Sequence, residues 1–164
     1  MDHADYGVFL LFEKGLIKEF WKNENDYDLI KFAIENHNKL TIPNNDDERV
    51  MRFAKLIRDV DKLDIIYIYA FTDDVEFNIS DDYISENIIE DIKLHRVVER
   101  INRNSINNEI ALSFAYAFDI NNNVIIGEFI NNIEKFYNKL NSDIFSDIFR
   151  EVIDYLKNRE ILCL

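Results

Sequence analysis

Three glycines and one proline among 164 residues are too few for a fold built on tight hairpins, which draw on Gly, Asn-Gly and Pro. A single cysteine, Cys163, excludes an intramolecular disulfide and any thiolate zinc cluster, and reads as a bystander. No apolar run approaches the roughly 18 residues a membrane span requires, and no basic segment followed by an apolar one opens the chain. The expectation is therefore a cytoplasmic protein with no membrane partner. Positive charge is also scarce: 19 Lys and Arg stand against 32 Asp and Glu, a net charge of −13. A polyanion is thus not expected as a stably held partner, which argues against nucleic acid, although a metal could still draw one phosphate into a pocket.

What is present is a large apolar fraction, 48% of residues, enough for a real core. With turn-formers so rare, the chain reads as all-α. A first helix is expected from about His3 to Lys14, capped by Asp2 and stopped by Gly15. A second covers about Asp28 to Asn36, after which Pro43 and the following Asn-Asn-Asp break the chain. The strongest signal follows: Asn45 as cap, Glu48 three residues on as in a capping box, and an apolar pattern to about Ala70. Further helices are read at about Asp81–Leu94, Ser105–Asp119, Val124–Leu140 and Ser142–Arg159, with Phe129, Ile133, Phe136 and Leu140 spaced along one face. Two lobes of one domain, 1–72 and 73–164, are the simplest organisation.

Asp61 is the first anomaly. On a projection of about 100° per residue it falls on the same face as Val50, Phe53, Ala54, Ile57, Asp64, Ile65 and Ile68, whereas Asp59 points away. A carboxylate on an apolar face is costly unless it is paired, protonated or bound to a metal. The plain alternative is a salt bridge to a core Arg or Lys. Two of the three histidines, His3 and His37, lie on the first two helices, and together with Asp61 they supply the ingredients of a His/Asp metal site on facing helices. His95, beside Lys93 and Arg96, reads instead as a C-terminal residue favoured by the helix dipole.

The strings Asp2-His3-Ala4-Asp5-Tyr6-Gly7, Ile34-Glu35-Asn36-His37-Asn38-Lys39 and Arg58-Asp59-Val60-Asp61-Lys62-Leu63-Asp64 resemble three successive segments of the HD-domain phosphohydrolases of bacterial type. These are helical metalloenzymes that cleave phosphate esters. In one subset the ligand order is His, His-Asp, His, His, Asp, and on that pattern His3 and His37 match the two later histidines while Asp61 matches the final aspartate. The resemblance covers about residues 1 to 70. The family's first histidine and its His-Asp dyad have no counterpart here, so the resemblance implies an HD-domain-like helical bundle truncated at its N-terminus, with additional C-terminal helices and an incomplete ligand set.

Several expectations follow from the resemblance. A divalent ion (Mn, Fe, Ni, Co, Zn or Mg) would be held by His3, His37 and Asp61. Lys39, Arg58 and Lys62 would contact the phosphate of a phosphorylated small molecule or nucleotide, and Asp64 would orient a ligand histidine or a nearby lysine. The alternative for Arg58 and Lys62 is a solvated helix face paired along the helix. Loss of the family's first helices would expose apolar surface around Val8, Phe12, Phe53 and Ile57, and a homodimer or partner chain is expected to cover it. Two functions stay open: a metal-dependent phosphohydrolase, or a non-catalytic binding, regulatory or protein-protein interaction module derived from that fold.

Overall fold

The computed structural model describes residues 2–73, 75–99 and 104–161; Cys163 lies outside them. Among the described residues every regular element is helical, as the scarcity of turn-formers predicts. The chain divides into two units, Met1–Asp61 and Lys62–Leu164. The division falls inside the longest helix, whereas the sequence suggests one after residue 72.

In the first unit, α1 (His3–Val8) is capped by Asp2, whose Oδ1 accepts from the Asp5 amide at 3.0 Å. It continues as a π-helical turn, Phe9–Glu13, to Gly15, whose φ of 76° is the left-handed conformation that ends helices. The short helix α2 (Ile17–Phe20) and a 3₁₀ turn, Glu24–Asp26, precede α3 (Tyr27–Asn36). Neither short element carries enough periodicity to be read from sequence. The long helix α4 (Glu48–Phe71) follows. Its cap is Asp47, whose Oδ1 accepts from the Arg49 amide at 2.8 Å; Asn45, expected in that role, accepts instead from the Asp47 amide at 2.9 Å.

Helices α1 and α3 run antiparallel. His3 meets His37 at one end, the Gly7 Cα region faces Ile34, and the Phe12 ring stands 6.0 Å from that of Tyr27 at the other. Small residues make this approach possible: Ala4 and Ala33 are buried at the contact, and a Cβ built on Gly7 would already touch Ile34 Cγ2 at 3.5 Å.

The turn between α2 and α3 is organised by buried Asp26. One oxygen accepts from Trp21 Nε1 at 3.0 Å and Asn23 Nδ2 at 2.9 Å, and the other from the Arg49 guanidinium at 2.7 Å. The Trp21 indole, followed by Arg49, holds this carboxyl below its ordinary value of 3.8. A depressed folded-state pKa stabilises the folded form above the unfolded value, and that contribution is lost as pH falls through the lower folded one. Because Trp21 is the only tryptophan, its emission reports the event directly. In an acid titration the Trp21 change should fall below pH 3.8 and vanish in Asp26→Asn; an unchanged titration in that variant would remove Asp26 as its cause.

The second unit is larger and better filled. Its helices are α5 (Glu86–Lys93), α6 (Ile106–Phe114), which runs on as a 3₁₀ turn to Asp119, α7 (Ile126–Leu140) and α8 (Ser146–Ile161). Nearly every residue of α6 is buried, so it forms the centre against which α5 and α8 pack. Helix α7 buries Ile126, Phe129, Ile133, Phe136 and Leu140, the face its sequence spacing predicts. Two adjacent asparagines tie the preceding segment to α6. Asn107 Nδ2 donates to the carbonyls of Ser80 and Asp82 at 3.0 and 2.7 Å, and Asn108 Oδ1 accepts from the Ser85 amide at 2.9 Å.

His95 follows the end of α5, as expected, and its amide donates to the Ile92 carbonyl at 3.0 Å. Its backbone is left-handed, with φ 52°, and its ring stacks on Phe118 while Nε2 lies 2.7 Å from Glu151 Oε1. A neighbouring carboxylate, rather than a helix dipole alone, engages it. One buried polar group is left over: Asn132 Nδ2 has no hydrogen-bond partner among the described residues. Replacing both of its polar atoms by methyls removes a desolvation cost. Asn132→Leu should therefore raise the stability of the second unit by about 1 kcal/mol, read as a higher thermal midpoint. A lower midpoint would mean that the amide is satisfied.

Candidate metal centre

The antiparallel pairing of α1 and α3 places the first residue of one helix beside the residue that ends the other. His3 and His37 therefore meet, with Nε2 atoms 2.9 Å apart and ring centroids 5.0 Å apart. Asp61 completes the group, its Oδ1 3.9 Å from His37 Nε2. One ligand atom from each of the three residues lies within 4.8 Å of the others, a convergence of His and carboxylate atoms that no other set of three shows among the described residues.

The third member arrives through Arg58. One turn before Asp61, Arg58 is 3% exposed, and its guanidinium donates to three backbone carbonyls beyond α3: His37 at 3.1 Å, Lys39, and Leu40 at 2.7 Å. A cation at a helix C-terminus suits the carbonyls that lack helical partners there. The fork pins α4 to the end of α3 and so sets Asp61 beside His37.

The imidazole of His37 is held in one orientation. Its Nδ1 lies 2.6 Å from the Ile34 carbonyl oxygen, which can only accept, so Nδ1 carries the proton. Nε2 is left with its lone pair directed at His3 and Asp61. This is the arrangement that prepares a histidine for a metal, since the remote nitrogen's hydrogen bond fixes tautomer and ring orientation. The His37 side chain is 10% exposed and that of Asp61 31%, so the group is shielded on one side and reachable from solvent on the other.

Bond lengths agree with a shared ion. Two ligand atoms about 2.0 to 2.2 Å from one ion stand at most about 4.3 Å apart. The His3–His37 and His37–Asp61 distances of 2.9 and 3.9 Å meet that limit. The group as a whole spans at most 4.8 Å, close to the same limit.

The expected phosphate contacts are arranged differently. Arg58 and Lys62 do not lie on a solvated face: Lys62 is 6% exposed, and its ammonium stands 2.9 Å from Asp119 Oδ2 within the second unit. Lys39 is exposed and donates to Asn36 Oδ1 at 3.0 Å. Asp64 is exposed and belongs to the second unit. No family model, curated protein or solved structure matches this chain. The centre is accordingly read from its own atoms.

Asp59, set aside by the projection, is fully buried and has interactions of its own. The most buried stripe of α4 runs through Ala54, Arg58, Lys62 and Ile66, of which only Ala54 lies on the face that hydropathy selects. Two of those four residues are charged, so a count of apolar side chains cannot find the stripe. The positioning role of Arg58 is likewise invisible in sequence, because its partners are backbone carbonyls that 18 or more residues separate from it.

Proposed function

We propose that the first unit is a divalent-metal centre of the two-histidine, one-carboxylate kind, in which His3 Nε2, His37 Nε2 and an Asp61 oxygen hold one ion. The observation that carries this reading is the Nδ1 hydrogen bond of His37, which leaves Nε2 as a lone pair within 2.9 Å of a second imidazole. Two imidazoles favour Zn, Ni, Co or Fe over Mg. Three protein ligands leave positions for water or substrate. The HD-domain resemblance gives such a centre a chemistry: the ion would activate a water against a phosphate ester and neutralise the charge that develops.

A specific observation favours the second reading, a metal-binding module without turnover. Arg58 and Lys62, two of the three cations expected at a phosphate, are buried on carbonyls and on Asp119. Both readings share the metal, and one experiment separates them. The purified chain is stripped with chelator, reloaded with each metal in turn, and assayed for bound metal and for cleavage of a generic phosphodiester and a nucleotide panel. One equivalent of metal with no cleavage supports the module, and metal-dependent cleavage supports the phosphohydrolase. No retained metal of any kind overturns both.

A further inference from the structure

A second feature of the first unit is independent of the metal centre. Between α2, α3 and the first half of α4 lies a groove of about 580 Å³, whose walls include Leu11, Ile30, Ile34, Phe53, Leu56 and Ile57. Its volume lies within the range of small-molecule sites, which are mostly apolar with a few placed polar groups. The apolar surface at Phe53 and Ile57, for which the sequence suggests a covering copy or partner chain, is this groove.

The charged side chains lining it are Asp26, Arg49 and Arg52. Asp26 is consumed by Trp21, Asn23 and Arg49. Two guanidiniums against one carboxylate leave the groove locally positive in a chain of net charge −13. Arg52, on the turn after Arg49, is exposed at the groove and reaches solvent. A mostly apolar groove with an exposed guanidinium in its lining fits a molecule with an apolar body and one negative group. A cationic amphiphile would instead meet the two guanidiniums.

We propose that this groove binds a single-chain amphiphile with a carboxylate head, the chain lying along the aliphatic walls and the head paired with Arg52. Trp21 lines the groove and is the only indole in the chain, so it provides the signal.

Dodecanoate, titrated below its micellar concentration into the full chain, should shift Trp21 emission saturably, with matching heat by calorimetry. Dodecanol should bind more weakly, and dodecyltrimethylammonium weakest. Arg52→Glu should weaken dodecanoate by about tenfold or more while leaving dodecanol unchanged. Ile30→Phe, which narrows the trough and is checked for folding by circular dichroism, should weaken both. An unsaturable signal, equal binding of the three head groups, or a dimer by light scattering that Ile30→Phe dissociates would each overturn the proposal, the last by assigning the groove to a second copy.

Discussion

His37→Ala should abolish stoichiometric metal binding and with it any metal-dependent rise in thermal midpoint. Partners that merely orient a ligand are worth about 10- to 100-fold in metal affinity, so loss of the ligand itself should cost about 100-fold or more. A ligand held at 100 times its dissociation constant adds about 2.7 kcal/mol of stability. Wild-type protein should therefore gain that increment from Zn²⁺ or Co²⁺, and the variant should gain none. Asp61→Ala and His3→Ala should behave similarly, while His95→Ala, whose ring is stacked on Phe118, should bind metal as wild type does. Bound Co²⁺ gives a further readout, because its visible absorption depends on ligand number and geometry. Arg58→Met should weaken binding by about tenfold, since it releases the carbonyls that fix Asp61 against His37. Arg58→Lys should not restore it, because a point charge cannot reproduce the fork. Protons compete with the ion for both imidazoles, so affinity should fall on acidification. Full metal affinity in His37→Ala would end the case for this centre.

Asp119→Ala should destabilise the second unit by about 2 kcal/mol, because it removes a close carboxylate from a nearly buried ammonium that has other interactions as well. Lys62 Nζ lies 2.9 Å from Asp119 Oδ2, with the two side chains 7% and 15% exposed. For a unit of this size the loss corresponds to a fall in thermal midpoint on the order of 10 °C. Asp119→Asn, which keeps the shape and one acceptor but not the charge, should cost about half as much. Chemical denaturation of the three proteins decides the matter, and a cost near 0.5 kcal/mol, typical of surface positions, would make the pair incidental.

The two predictions arise from the two ways in which α4 departs from its sequence reading. Its helical state was legible from the apolar period and the acidic start, and the cap was misplaced by only two residues because Asn45 and Asp47 both accept from nearby amides. Its orientation was not legible. Hydropathy gives a buried arginine or lysine no credit, so the stripe through Arg58 and Lys62 reads as a solvent face. A buried charge is tolerated only where partners converge on it, and these partners come from the residues that follow α3 and from the last residue of the 3₁₀ turn after α6. The segment from Leu16 to Asp26 carries no legible signal for a different reason. Its short elements are specified by the Asp26 hydrogen bonds, with Arg49 reaching across from α4.

By itself the sequence determined the helical class, the main helices, the capping of α1 by Asp2 with its stop at Gly15, the apolar face of α7, and His3, His37 and Asp61 as three residues to watch. These follow from local propensity, periodicity and residue type, which act over a few neighbours. Only the tertiary structure decided that the three residues converge to within 4.8 Å, that the His37 tautomer leaves Nε2 as a lone pair, and that Arg58 and Lys62 are occupied inside the protein. Each of these depends on distances between side chains or carbonyls far apart in the chain. Those distances are set by the antiparallel seating of α1 on α3 and by the carbonyl fork at Arg58, for which a linear sequence carries no local signature.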